Sequence, residues 1–360
     1  MRTNVFTVAD IRTIVRDVGI DGLMDEVIAR LTEVCKDFDP DAYAIPVRGG
    51  FDYRCPDLGL LEWMPALEIS RSATLKVVGY HPANPRRRAL PSILSTTLSF
   101  DTSSGHLAAL MDGTFATALR TGAASAVASR VLAARDSRVL GLVGCGAQAV
   151  TQLHGLSRVF DLDQVLVYDI EAGAAASFAG RVKPLGLDSL DIRVVPLAVL
   201  EACSDIICTA TSVDPGMGPV MGDECLKPAV HVNAVGSDFP GKTELPPSLL
   251  RRSLVCPDFP LQALREGECQ QLQAAEIGPQ LVELVTDAAR YRRARTESTV
   301  FDSTGWALED HIVLEILAHH GRRLGCGAWL EIECCPHDPR SPYELVYGEQ
   351  AGKAASGQPR

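Results

Sequence analysis

Residues 139–149 read Val-Leu-Gly-Leu-Val-Gly-Cys-Gly-Ala-Gln-Ala: an apolar strand, a glycine turn and a helix start. Twenty residues beyond Ala149, the run Val165-Leu166-Val167-Tyr168 ends in Asp169. Gly144-x-Gly146-x-x-Ala149 followed at that distance by a carboxylate is an arrangement that binds a dinucleotide. Gly144 permits the sharp turn, Gly146 lets the backbone approach a pyrophosphate, and Ala149 lets the helix sit close to the sheet. The helix start at Ala147 and Gln148 presents free N–H groups to the phosphates. Asp169 suits ribose hydroxyls and repels a 2′-phosphate, and no Arg follows it in Ile170-Glu171-Ala172. The cofactor expected is therefore NAD rather than NADP.

Other polar groups sit in unusual surroundings. Arg48 lies in Ile45-Pro46-Val47-Arg48-Gly49-Gly50, and Glu62 opens Glu62-Trp63-Met64-Pro65. Lys76 is flanked by Leu75 and Val77 in an apolar strand, where a buried ammonium needs an anionic partner. Arg120 stands in an alanine-rich helix. Asp238 ends Val232-Asn233-Ala234-Val235-Gly236-Ser237-Asp238, at the end of a strand where ligands bind in such sheets. Each has a plainer role. Arg48 suits a surface loop, Lys76 can snorkel from an edge strand, and Arg120 can bind helix carbonyls. Glu62 suits a solvated edge, Asp238 can cap a turn, and Ser303 and Thr304 can cap the helix before Trp306.

The elements that must position these groups follow from periodicity. Residues 8–36 predict a helix with a break near Gly19–Gly22. Residues 58–112 predict antiparallel strands, among them Thr74–Tyr80 and a hairpin of Ser92–Phe100 and His106–Met111 turned at 101–105. An alanine-rich helix covers Thr117–Ala134. From Ser137, strand and helix alternate, with strands at 138–143, 164–169, 192–195, 205–210, 230–235 and 253–256. A helix from Leu308 to Leu324 and a short strand, Leu330–Glu333, complete the pattern. The fold class is α/β: a Rossmann-type doubly wound parallel sheet plus an α+β unit with a mainly antiparallel sheet. The boundaries are 1–120 and 314–348 for the α+β unit and 121–313 for the nucleotide unit, with 349–360 a Gly/Ala/Ser-rich, disordered tail.

Composition narrows the partners. The chain has 360 residues, 46% hydrophobic and 22% charged, enough for two domains with cores. A net charge of −11 disfavours nucleic acid and anionic membrane, which leaves a small-molecule substrate. No uncharged apolar run is long enough for a membrane span, and Met-Arg-Thr-Asn-Val-Phe-Thr is not a signal peptide. The 11 cysteines form no C-x-x-C pair and suit a reduced, cytoplasmic protein. Cys145, in the glycine turn, is either filler or a thiol with a lowered pKa. The 8 histidines offer no ligand pair, so no metal is expected.

The runs Arg120-Thr121-Gly122-Ala123, Gly144–Gln148, Asn233–Asp238 with Gly241-Lys242-Thr243-Glu244-Leu245, and Asp302-Ser303-Thr304-Gly305 resemble the ornithine cyclodeaminase/mu-crystallin family over roughly residues 5–345. Glu62–Pro65, Gly79-Tyr80 with Pro82–Pro85, and Arg265–Gln271 are similar to its lysine cyclodeaminases. The resemblance implies internal hydride transfer at Cα of a basic amino acid, ring closure and ammonia release with no net redox change. Lysine would give L-pipecolate and ornithine would give L-proline. It implies a carboxylate clamp of Arg48, Lys76 and Arg120, a catalytic carboxylate at Asp238 and an acidic site residue at Glu62, with Lys76 part of the catalytic set. It places Ser92, Thr121, Ala147, Gln148, Asp169, Thr209, Thr211, Asn233, Val235, Lys242, Ser303 and Thr304 on segments that line the cofactor, with Gly144 and Gly146 in the turn. It also implies a homodimer built through the strand-rich unit, whose sheet edges need covering.

Two other activities stay open. An imine reductase or amino-acid dehydrogenase of the same family would exchange its cofactor at each turnover, and a nucleotide-dependent binding protein would do no chemistry. One methylene in a pocket is worth only about 1–3 kcal/mol, so lysine is preferred to ornithine on the longer resemblance alone. The chain departs from the lysine-type pattern at Ala66-Leu67-Glu68-Ile69-Ser70.

Overall fold

A computed structural model describes residues 1–187 and 189–346. The tail at 349–360 and the last residues of the unit expected to end at 348 lie outside the described residues. In chain order the strands are β1 (Thr3–Phe6), β2 (Tyr43–Ala44), β3 (Gly49–Tyr53), β4 (Gly59–Glu68), β5 (Ser72–Tyr80), β6 (Ile93–Asp101), β7 (Leu107–Asp112), β8 (Val139–Val143), β9 (Gln164–Tyr168), β10 (Asp191–Val194), β11 (Ile206–Thr209), β12 (His231–Ala234), β13 (Leu254–Pro257), β14 (Thr299–Asp302) and β15 (Ala328–Leu330). The helices are α1 (Val8–Val18), α2 (Ile20–Lys36), α3 (Asn84–Arg88), α4 (Thr114–Leu132), α5 (Ala147–Ser157), α6 (Ala172–Val182), α7 (Leu197–Cys203), α8 (Pro247–Arg252), α9 (Pro260–Glu266), α10 (Leu281–Thr286) and α11 (Ala307–Arg323).

Two sheets organise the described residues. The first has the order β15-β1-β7-β6-β5-β4-β2, with β3 also paired to β4. It is antiparallel except where β1 runs parallel to β7. The second, β10-β9-β8-β11-β12-β14-β13, is wholly parallel. The fold is thus α/β, a Rossmann-type sheet beside a mixed one.

Gly19, at φ +82°, divides 8–36 into α1 and α2 at the expected break, and Thr7 caps the first. Other expectations need correction. Periodicity predicts none of the strands β1, β2, β3 and β14. β14 lies between β12 and β13. The last strand is Ala328–Leu330 rather than Leu330–Glu333, because its partners are Thr3–Val5.

The alternation of β4 and β5 decides which groups face inward. Leu60, Glu62, Met64 and Ala66 are buried on β4, and Thr74, Lys76, Val78 and Tyr80 on β5. α11 packs against these strands and against α4, so Glu62 and Lys76 are enclosed rather than solvated. α4 is buried almost throughout. It crosses α5 at Gly122 and Gly155, where a Cβ on either would drive into the facing backbone. The helix that starts at the glycine turn is thereby packed directly on the helix that carries Arg120.

Candidate active site

The three expected clamp residues arrive from three elements and share one buried cluster. Lys76 Nζ lies 2.7 Å from Asp310 Oδ2. Arg120 donates from Nη1 to Glu309 Oε2 at 2.8 Å, and its Nε lies 3.4 Å from Asp310 Oδ1. Arg48 Nε lies 2.6 Å from Glu266 Oε1, its Nη1 donates to Glu62 Oε2 at 3.3 Å, and its Nη2 donates to the Thr304 carbonyl. The Arg48 backbone N–H donates to Gln262 Oε1 at 3.0 Å, which seats the loop before β3 on α9.

Electrostatics tie the cluster together. Burial lowers Lys76 to about 8, with Arg120 and Arg48 pushing the same way and Asp310 opposing. Burial raises Glu266 to about 7 and Glu309 to about 8 against the pull of their arginines. Glu62 is raised as well, by burial and by the charge of Asp238. Arg48 and Arg120 are held cationic by the acids around them. The plainer roles for Arg48, Lys76 and Glu62 fail on burial alone, with side chains 8%, 2% and 9% exposed, and that for Arg120 fails because its guanidinium faces Glu309 and Asp310.

Asp238 sits at the mouth of this cluster. Its side chain is 24% exposed, and Oδ1 accepts from Lys242 Nζ at 2.8 Å. Lys242 is buried, lies over the Tyr80 ring at 5.0 Å, and donates to the Tyr80 hydroxyl at 3.4 Å. Lys242 was expected on the cofactor. Its ammonium is instead committed to Asp238, because a buried cation needs a counter-charge.

The nucleotide segment has the geometry its sequence predicts. Gly144 adopts φ +89°, and a Cβ there would stand 2.7 Å from the Ala210 carbonyl oxygen. A Cβ on Gly146 would meet nothing within 4 Å, so the helix start at Ala147 faces open space of the kind a pyrophosphate needs. Asp169 accepts from the Cys145 N–H at 2.7 Å and the Glu171 N–H at 2.8 Å, which fixes it at the tip of β9. Ser303 Oγ is buried with no hydrogen-bond partner among the described residues, as a site waiting for a polar ligand would have it. Together these features fit NAD.

Other residues expected on the cofactor are spent inside the protein. Thr209 and Thr211 each donate to Glu244 at 2.7 Å, and the Gly236 N–H donates to the same carboxylate at 2.9 Å. Asn233 donates to Ser129 at 3.0 Å, Thr121 to the Thr117 carbonyl at 2.8 Å, and Thr304 to Asp258 at 3.0 Å. Their side chains brace the segments rather than line them. Gln148 is half-buried beside the turn, and Val235 and Ser92 contribute backbone groups to Thr209 and His81. Cys145 is 1% exposed and raised to about 12 by burial, so it is filler.

Sequence reasoning missed the acids that support the cations: Glu266, Glu309, Asp310 and Asp258. Glu309 and Asp310 read as ordinary first-turn carboxylates of α11. Glu266 stands in the Arg265–Gln271 run that was noted only for its resemblance. Glu68, His311 and Glu315 bring ligand atoms within 4.8 Å of one another. Arg71 already fills that group, 2.8 Å from Glu68 and 3.2 Å from Glu315.

A parallel sheet carrying a dinucleotide turn, together with a buried cluster of cations from the loop before β3, from β5 and from α4, defines a nucleotide-dependent protein of amino-acid chemistry. Residues 11–321 match the ornithine cyclodeaminase/mu-crystallin family, and the chain belongs to it. It is 42% identical to the L-lysine cyclodeaminase of Streptomyces rapamycinicus, covering 96% of this chain and 100% of the relative. It is 33% identical to the ornithine cyclodeaminase of Brucella suis, over 80% of this chain and 79% of that one. A solved lysine cyclodeaminase, described for its recognition of L-lysine, L-ornithine and L-2,4-diaminobutyric acid, superposes with TM-score 0.92 at 46% identity, covering 96% of this chain and 100% of its own. An archaeal alanine dehydrogenase dimer with bound NAD superposes with TM-score 0.82 at 29% identity, covering 92% and 100%.

Proposed function

We propose that this protein is an NAD-dependent cyclodeaminase that converts L-lysine to L-pipecolate and ammonia, or L-ornithine to L-proline and ammonia. The observation that carries the reading is the convergence of Arg48, Lys76 and Arg120 on one enclosed cluster with Asp238 at its mouth. The similarity to lysine and ornithine cyclodeaminases supports it.

NAD held at the glycine turn would supply a reversible hydride acceptor for Cα. The chain's own groups do the rest. Arg48, Lys76 and Arg120 bind the α-carboxylate, the arginines through forked hydrogen bonds. Asp238 takes and returns protons at the α-amine and the side-chain amine, and Lys242 orients it. Glu62 holds the substrate or a water. The side-chain nitrogen bonds to Cα as the α-nitrogen leaves, so the product is the substrate less ammonia.

The outward face of the first sheet supports a homodimer. Leu61, Trp63 and Leu94 are 41%, 39% and 42% exposed on it. We place the substrate and dimer unit at 1–120 and 314–348, the nucleotide unit at 121–313, and the protein in the cytoplasm. No helix among the described residues is long and apolar enough to cross a membrane.

The test is to incubate the protein separately with lysine, ornithine, arginine and 2,4-diaminobutyrate, and identify products by mass while following ammonia and NADH. Pipecolate or proline with ammonia and no net NADH is expected. Net NADH formation would replace this reading with an amino-acid dehydrogenase, and product from ornithine alone would reverse the preference for lysine.

A further inference from the structure

A cavity lies away from the cluster just described. It is a half-open concavity of about 480 Å³ between α2, the end of α4, the end of α5, α10 and the segment at 292–296. That volume is in the range of small-molecule sites. Its floor is apolar and buried, built from Val127, Val131, Phe160 and Val285. Its rim carries four cations, Lys36, Arg130, Arg135 and Arg295, and no carboxylate lines it.

In a chain of net charge −11, cations normally find acids. Arg158, next to this cavity, does so, 2.8 Å from Asp21 and 2.7 Å from Asp25. Among the described residues the four rim cations make no ion pair. Arg295 is turned toward the rim by donating to the Val131 carbonyl at 3.0 Å and the Arg130 carbonyl at 2.7 Å. Burial, with the charges of Arg135 and Arg292, presses its guanidinium below the ordinary value. Like charges gathered around a concavity repel one another, and an oxyanion between them relieves that repulsion. Three arginines favour an anion that accepts forked hydrogen bonds.

We propose that this cavity binds a small organic anion that carries two negative charges beside an apolar body, such as a phosphate monoester or a dicarboxylate. The charged head lies between Arg130, Arg135 and Arg295, and the apolar body rests on Val127 and Phe160. The site is separate from the glycine turn and from the buried cluster. α4 links them, since it carries Arg120 in its first half and Arg130 near its end.

The test uses the NAD-loaded protein, so that the glycine turn is already filled. Phenyl phosphate, benzene-1,3-dicarboxylate, phenol and inorganic phosphate are titrated by calorimetry. One of the two aromatic dianions is expected to bind saturably, one per chain. It should bind about tenfold or more tightly than inorganic phosphate because of the buried ring. Binding by the ester, the dicarboxylate or both supports the site and names the head group. The double variant Arg130→Gln/Arg135→Gln should weaken binding about tenfold or more. Ala288→Glu, which sets a carboxylate on the rim, should abolish it. Both variants should keep the wild-type turnover measured without the anion. The proposal is overturned if neither dianion binds saturably, or if binding survives both variants unchanged.

Discussion

Lys76 Nζ and Asp310 Oδ2 stand 2.7 Å apart, each side chain only 2% exposed. The pair keeps the ammonium in place while burial, with Arg120 and Arg48, pushes its proton off. Lys76 is therefore cationic below about 8 and neutral above it. If it grips the substrate carboxylate, kcat/KM falls as pH rises through about 8. Asp310→Asn removes the opposing charge and moves that fall to lower pH. A pH profile checks both, and an alkaline limb unmoved by Asp310→Asn would exclude Asp310 from this role.

Arg120 shields Glu309 in the same way. Arg120→Ala leaves a buried acid without its partner, which typically costs about 3–5 kcal/mol when a buried pair is broken. Glu309, already raised to about 8, offsets part of this by taking up a proton at neutral pH. Adding Glu309→Gln to Arg120→Ala should recover stability, measured by thermal denaturation at pH 7. Equal losses in the single and double variants would mean the two residues are not coupled.

Asp238→Asn should lower turnover by about 10²–10⁴-fold, the usual contribution of a general acid–base. NAD affinity, read by calorimetry, should hold. Retained ammonia release would remove Asp238 from proton transfer.

Gly146→Val places a side chain in space that is empty in the free protein. The melting temperature without NAD should be unchanged, and NAD binding should be lost. Undiminished NAD affinity would show that the pyrophosphate does not sit on this turn.

Trp63→Glu, on the outward face of β4, should convert a dimer to monomers in sedimentation without unfolding the chain. Unchanged mass would place the contact elsewhere.

How much of this was legible in the sequence follows from what kind of signal each part leaves. The parallel sheet was readable because its strands are apolar runs separated by helices, and its glycine turn has a fixed spacing. β1, β2 and β3 carry no such mark, since each is defined by the partner it meets across the sheet. Arg48, Lys76 and Arg120 were visible as charges in apolar company. Glu266, Glu309 and Asp310 were not, because an acid in a helix looks the same whether it faces water or a buried guanidinium. Asn233, Thr209 and Thr211 stand on segments the sequence singled out, yet their side chains turn inward to Ser129 and Glu244, which spacing along the chain does not reveal.

The mutual contact of Gly122 and Gly155 has a consequence for substrate choice. Backbone against backbone leaves α4 and α5 no slack, so the span from the glycine turn to the Arg120 guanidinium is set like the jaw of a fixed gauge. If Arg120 takes the carboxylate, a diamino acid with one more or one fewer methylene meets the same jaw at that end. Selection by length then falls to the opposite side of the site, at Asp238, whose side chain is 24% exposed.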